Sequence, residues 1–166
     1  MKKLFLVAAA ATLACGGGKS VKASGDVAPD WVAQGTGEVN AEGGKKMQGV
    51  GSASGPDAKA RRQQADAAAK TQLDGVVTGL SAALGKMSES KQADAADDIS
   101  GIAKKAAAQS RQIRDHWVNS DGTEMSLDVL DLASFKTALS AVDGDDKLKR
   151  EMSANADKAF DQAAKK

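Results

Sequence analysis

Gln109–Val118 (QSRQIRDHWV), Asn119-Ser120-Asp121-Gly122 and Thr123–Leu132 (TEMSLDVLDL) read together as a β-hairpin. Asp121-Gly122 is a strong hairpin signal, because a tight turn there needs positive φ. Before the turn, Ile113 and Trp117 stand at strand spacing. After it, Met125, Leu127 and Val129 alternate with Glu124, Ser126 and Asp128. Strict alternation predicts one buried face and one face turned to water or a partner. The alternation slips at Val129-Leu130, which predicts a bulge or the strand end there.

Helical patterns flank this hairpin, so the chain reads as α+β. Gly55-Pro56-Asp57 opens a long helix to about Leu84, with Asp57 as cap or first-turn charge. Its first half is polar and rich in alanine. Its second half carries Leu73, Val76, Val77, Leu80 and Leu84 as one stripe facing a core. Gly85 is the expected C-cap, and Lys86–Gln92 a polar connection. Ala93–Ala108 predicts a second helix, weakly amphipathic through Ala95, Ile99, Ile102, Ala103 and Ala106. Beyond the hairpin, Ala133–Val142 (ASFKTALSAV) predicts a short helix with Phe135, Leu139 and Val142 inward. Asp143-Gly144-Asp145-Asp146 breaks it. A last helix, from about Asp145 to Ala164, presents Leu148, Met152, Ala156, Ala159, Phe160 and Ala163 as a stripe. That stripe either covers the domain or pairs with another copy, and Met152 and Phe160 are its candidate self-association residues.

Val32–Gly55 is rich in glycine. Its best strand is Met47–Ala53 (MQGVGSA), with Met47, Gly49, Gly51 and Ala53 on one face. Alternate glycines leave that face nearly bare, so a neighbour packs close to the backbone, and a helix of the same domain is the expected one. GVGSASG before a helix superficially matches a dinucleotide fingerprint. It fails because Ser54 stands at the third glycine position and no second βαβ unit follows.

The N-terminus reads MKKLFLVAAAATLACGGGK. Lys2 and Lys3 precede an uncharged run from Leu4 to Ala14, the layout of a secretory signal peptide. Eleven residues are too few to span a bilayer as a helix, which takes about 20. Cys15 closes the run and is the only cysteine. This arrangement resembles the lipobox of bacterial lipoproteins, with Thr12 and Leu13 in shifted order. The resemblance implies cleavage after Ala14 and diacylation of Cys15. The plainer reading is an ordinary signal peptide with an incidental cysteine. Gly16–Ala28 is small, polar and aperiodic, a flexible tether. Pro29 then fixes φ, and Trp31 offers a large apolar anchor for the start of a domain.

Composition narrows the classes. Without Lys2 and Lys3, 21 basic side chains face 22 acidic ones. That is no electrostatic footprint for nucleic acid. One cysteine allows no internal disulfide, so the fold must stand on its core. With three Phe, two Trp and no Tyr, that core depends on alanine-rich helices and a limited set of larger residues.

Three pieces occur in order: Pro29-Asp30-Trp31-Val32; Gly49-Val50-Gly51-Ser52-Ala53 before an alanine-spaced helix; and Trp117–Leu127 (WVNSDGTEMSL). In that order they resemble the Lpp-twenty family, FlgP-like lipoproteins of the bacterial envelope. Met125 stands where an aromatic is common in the family, and Ala69-Lys70-Thr71-Gln72-Leu73 lacks its usual Ala-Arg pair. The resemblance spans roughly Pro29 to Leu139. It implies a long helix on a small, mostly antiparallel sheet and a structural role at the outer membrane. Trp31, Gly49, Gly51, Trp117, Asp121 and Gly122 would be fold markers, and Cys15 the lipidated residue.

Chemistry is sparse. His116 is the only histidine, so a general base or zinc site would depend on it, with Asp115 as the nearest helper. Asp143–Asp146 lacks the spacing of an EF-hand and reads as a helix-linking turn with an N-cap. No serine lies in a GxSxG elbow. Arg61-Arg62 and Lys104-Lys105 read as solvated helix faces.

The expectation is an α+β fold in the order β-α-α-β-β-α with a C-terminal helix. Residues 1–14 form the signal peptide, 15–28 the lipidated cysteine and tether, 29–142 the domain and 143–166 the last helix. The expected function is a lipid-anchored, periplasm-facing structural or assembly lipoprotein of the outer membrane. It would be non-enzymatic, without cofactor or metal. Its partners would be the membrane, through acyl chains on Cys15, and a second copy or another envelope protein. The alternative is a small-ligand or cell-wall binding module.

Overall fold

Asp57 starts the long helix as expected, because its side chain accepts from the Ala60 amide at 2.6 Å and satisfies an orphan donor. The computed structural model describes residues 27–41, 44–88 and 93–163. Their order is α1 (Asp30–Gln34), β1 (Gly37–Ala41), β2 (Gly44–Ala53), α2 (Ala58–Met87), α3 (Ala93–Ser110), β3 (Gln112–Val118), β4 (Glu124–Asp131), α4 (Leu132–Ala141) and α5 (Asp146–Ala163). The strands form an antiparallel sheet in the order β1-β2-β4-β3, and α2 packs along one face of it. The fold is α+β.

Two elements precede those expected. α1 is a single turn after Pro29. β1 pairs with the first half of β2, from Gly37 opposite Gln48 to Ala41 opposite Gly44. Beyond that ladder, the Thr36 hydroxyl accepts from the Val50 amide at 3.0 Å. An edge strand held by backbone pairing and carrying one valine in GEVNA leaves no alternation to detect.

Other boundaries shift. Gly85 lies inside α2, which continues to Met87 and is capped at Ser88. Gln109 and Ser110 complete α3 rather than opening β3. The register irregularity lies on β3, between Ile113 and Asp115, and β4 runs unbroken past Val129-Leu130 to Asp131.

The main core gathers at one end of α2. Leu73, Val77, Leu80 and Leu84 meet Met47 and Leu130 from the sheet, Ile99 and Ile102 from α3, Phe135 and Leu139 from α4, and Met152 and Phe160 from α5. The Phe135 and Phe160 rings lie 5.7 Å apart, inclined at 53°. Each such side chain stabilises the fold by roughly 1.5–3 kcal/mol on burial. Met152 and Phe160 are therefore corrected as association residues. They are 3% and 0% exposed inside their own chain.

At the other end, Gly49 and Gly51 bring the sheet onto the α2 backbone. A Cβ on Gly49 would stand 2.6 Å from the Leu73 amide nitrogen, and one on Gly51 2.7 Å from the Ala68 carbonyl carbon. No side chain fits such gaps. Ala65 and Ala69, both fully buried, are the helix residues of this close approach. The bare strand face predicted from sequence is the helix face.

Candidate functional site

Register sets which residues of β4 meet α2. Met47 pairs with Leu130, Gly49 with Asp128, Gly51 with Ser126 and Ala53 with Glu124. Side chains alternate across a strand, so Glu124, Ser126, Asp128 and Leu130 join the glycine face, under the helix. Met125, Leu127 and Val129 point the other way. The apolar set is buried, as expected, but with Trp31 and Trp117 on the face away from α2, and the polar set, expected to face water or a partner, is buried under the helix. The reason is space: α2 touches the backbone at Gly49 and Gly51, and the short polar side chains of β4 stand beside that contact. It also explains the apparent slip at Val129-Leu130. Val129 belongs to the open face and Leu130 to the helix core, so both are apolar with no bulge between them.

A column of polar groups results, buried between β4 and α2. Glu124, 2% exposed, takes Arg62 Nε at 2.8 Å and has Arg61 Nε at 3.5 Å. Arg61 also donates through Nη1 to the Gly55 carbonyl at 2.7 Å. Arg61 and Arg62, read from sequence as solvated, thus both pair with a buried carboxylate, Arg62 through a hydrogen bond. Next along the strand, the Ser126 hydroxyl donates to Asp66 Oδ1 at 2.6 Å. His116 Nε2 donates to the same oxygen at 2.7 Å. Asp128 follows, fully buried, with no hydrogen-bond partner on either carboxylate oxygen among the described residues. Burial pushes its carboxyl above the ordinary range, against the opposing pull of Arg111, Lys70 and the Val129 backbone amide.

The Asp66–Ser126–His116 triangle invites a catalytic reading and does not satisfy it. A serine nucleophile needs a base that accepts its proton. Here serine and histidine both donate to one carboxylate oxygen, so the ring carries a proton on Nε2 and Ser126 faces no base. The serine is also fully buried. His116 and Asp115, considered together for a metal, lie on opposite faces of β3. Asp115 accepts from Trp31 Nε1 at 3.2 Å while His116 turns to α2. No group of three metal-ligating side chains occurs among the described residues.

The expected marker residues sort onto three places. Gly49 and Gly51 form the close helix approach. Trp31 and Trp117 meet on the open face of the sheet with Leu127 and Val129, and Val32, Val50 and Met125 pack at the margin. Trp117 Nε1 is buried without a hydrogen-bond partner among the described residues. Asp121 and Gly122 make the hairpin turn. Gly122 has φ +83°, and Asp121 Oδ1 accepts from the Thr123 amide at 2.8 Å, which holds that exposed carboxyl below its ordinary range. Asp145 supplies the cap expected within Asp143–Asp146, accepting from the Leu148 amide at 2.9 Å. Cys15, the signal segment and the tether up to residue 26 lie outside the described residues.

Two surface clefts lie away from the tryptophans. One is lined by Gly44, Lys46, Asp131, Ser134 and Lys136, the other by Ser140, Asp146, Lys149, Arg150 and Ser153. Their lysines are paired: Lys46 with Asp131, Lys136 with Asp157 and Lys149 with Asp146.

The polar column escaped sequence reading because its members are far apart in the chain. Its one early signal was the pair of alternations, Gly49/Gly51 and Ser126/Asp128, which become one face only through an antiparallel register. No protein-family model matches the chain, and no curated protein matches it.

Proposed function

We propose that this protein is a lipid-anchored structural or assembly component of the bacterial cell envelope, held at the outer membrane and facing the periplasm. The observation that carries the reading is Cys15, the single cysteine, directly after an uncharged run with a basic start. A tether of small residues separates it from Pro29, where the α+β body begins. In this arrangement acyl chains fix one end, because two chains hold where one is marginal. The tether sets how far the body reaches. The internal use of His116 and Ser126, both bonded to Asp66, supports a role that depends on shape rather than turnover. The Lpp-twenty resemblance supports the same class.

Growth of a bacterial host expressing the full chain with a labelled fatty acid tests the reading. The wild-type chain takes up label and sediments with outer membranes. Cys15→Ala loses the label and leaves the membrane fraction. Unlabelled wild-type protein with a mature N-terminus other than residue 15 overturns it.

A further inference from the structure

Asp128 stands apart from the other buried polar groups in the column. Glu124 accepts a hydrogen bond from Arg62 and Ser126 is bonded to Asp66, whereas both Asp128 oxygens lack a hydrogen-bond partner among the described residues. It lies on β4, a strand flanked by β2 and β3, opposite Gly49 and Ile113. Neither of those neighbours carries a charge. The charged groups facing it come from two places: Lys70 and Asp74 on α2, and Arg111 at the α3–β3 junction. Asp66 and His116 belong to the next register step.

Arg111 is shared between two carboxylates. Its Nη1 bonds Asp74 Oδ1 at 2.5 Å, while its Nε lies 3.8 Å from Asp128 Oδ2, too far for a hydrogen bond. The two acids differ sharply in surroundings: the Asp74 side chain is 64% exposed and that of Asp128 1%. Arg111 itself keeps its charge at any relevant pH. An ionised, unbonded carboxylate at the Asp128 position is costly, and a neutral one much less so.

We propose that Asp128 and Arg111 form a proton-operated latch between the sheet and α2. With Asp128 protonated, Arg111 stays on Asp74 and ties the α3–β3 junction to the outer side of α2, as in the structure. With Asp128 ionised, the buried charge draws Arg111 inward and releases Asp74 to solvent. Arg111 is two residues from Ile113, where the β3 ladder is already irregular, so the irregular segment absorbs the movement. The sign follows from the buried acid. Its carboxyl is raised in the folded state, so its contribution to stability is complete below the ordinary carboxylate range. That contribution is lost as pH rises through the folded-state value.

Carbon-detected NMR of the labelled chain, titrated from acid to neutral pH, tests the latch. Asp128→Asn assigns the Asp128 carboxyl signal. In the wild type this signal titrates above those of exposed carboxylates, and the Ile113 amide signal moves with the same midpoint. In Asp128→Asn that amide does not move. Asp74→Asn removes the competing acid and lowers the Asp128 midpoint, whereas Arg111→Gln raises it. An Asp128 signal that titrates with the exposed carboxylates overturns the proposal. So does a midpoint unchanged by Asp74→Asn in a variant whose spectrum shows the native fold.

Discussion

The two halves of α2 rest on one sheet by opposite means. From Leu73 onward, the helix buries a broad apolar stripe against Met47, Leu130 and the three following helices. Before Leu73, it has alanines where the stripe would be, and it lies on two glycines beside a column of polar side chains. The half from Leu73 onward is held by the area removed from water. The half before it is held by backbone proximity and by bonds from Arg62, Asp66 and their partners on the sheet. The difference shows that a polar, alanine-rich helix segment is not thereby a surface segment. Ala65 and Ala69 are as buried as Leu73, and a hydrophobic stripe reports only the kind of contact that uses large side chains.

Three substitutions sharpen the contrast. The largest effect falls in the apolar half. Phe160→Ala removes a fully buried ring packed on Phe135 and should cost about 3–5 kcal/mol, measured as a fall in urea stability. In the close-approach half the opposite change does the damage. Gly51→Ala adds one methyl where only backbone surrounds it, so α2 must lift from the sheet at a cost of about 3 kcal/mol by the same measurement. Equal stability of Gly51→Ala and wild type would remove the close approach from the comparison. The smallest effect is in the polar column. Ser126→Ala leaves Asp66 bonded to His116 and should cost about 1.5 kcal/mol, with the native fold retained by circular dichroism.

Legibility from sequence follows the same division. The stripe from Leu73 to Leu84, the Asp57 cap, the Asp121-Gly122 turn and the bare glycine face each depend on neighbours within a few residues. All four are found in the structure. The orientation of β4 depends on which strand residue stands opposite which, and no local pattern specifies that Gly49 pairs with Asp128. Alternation alone made Met125, Leu127 and Val129 the inward set. They do cluster, but with Trp31 and Trp117 on the sheet face away from α2. The role of Arg61 and Arg62 was hidden for the same reason, since their partner Glu124 is 62 residues beyond Arg62. Met152 and Phe160 were readable as a stripe, yet a stripe does not say whether its cover comes from the same chain.

That cover has a consequence for the order of events during synthesis. Lys45, on β2, reaches the carbonyl of Asp157 on α5, a separation of 112 residues. Phe160, from the same helix, completes the cluster that contains Met47. The first strand pair therefore finds these neighbours only after α5, 112 residues further on, has been made. A nascent chain stopped before α5 has an open core, and closure waits for that helix.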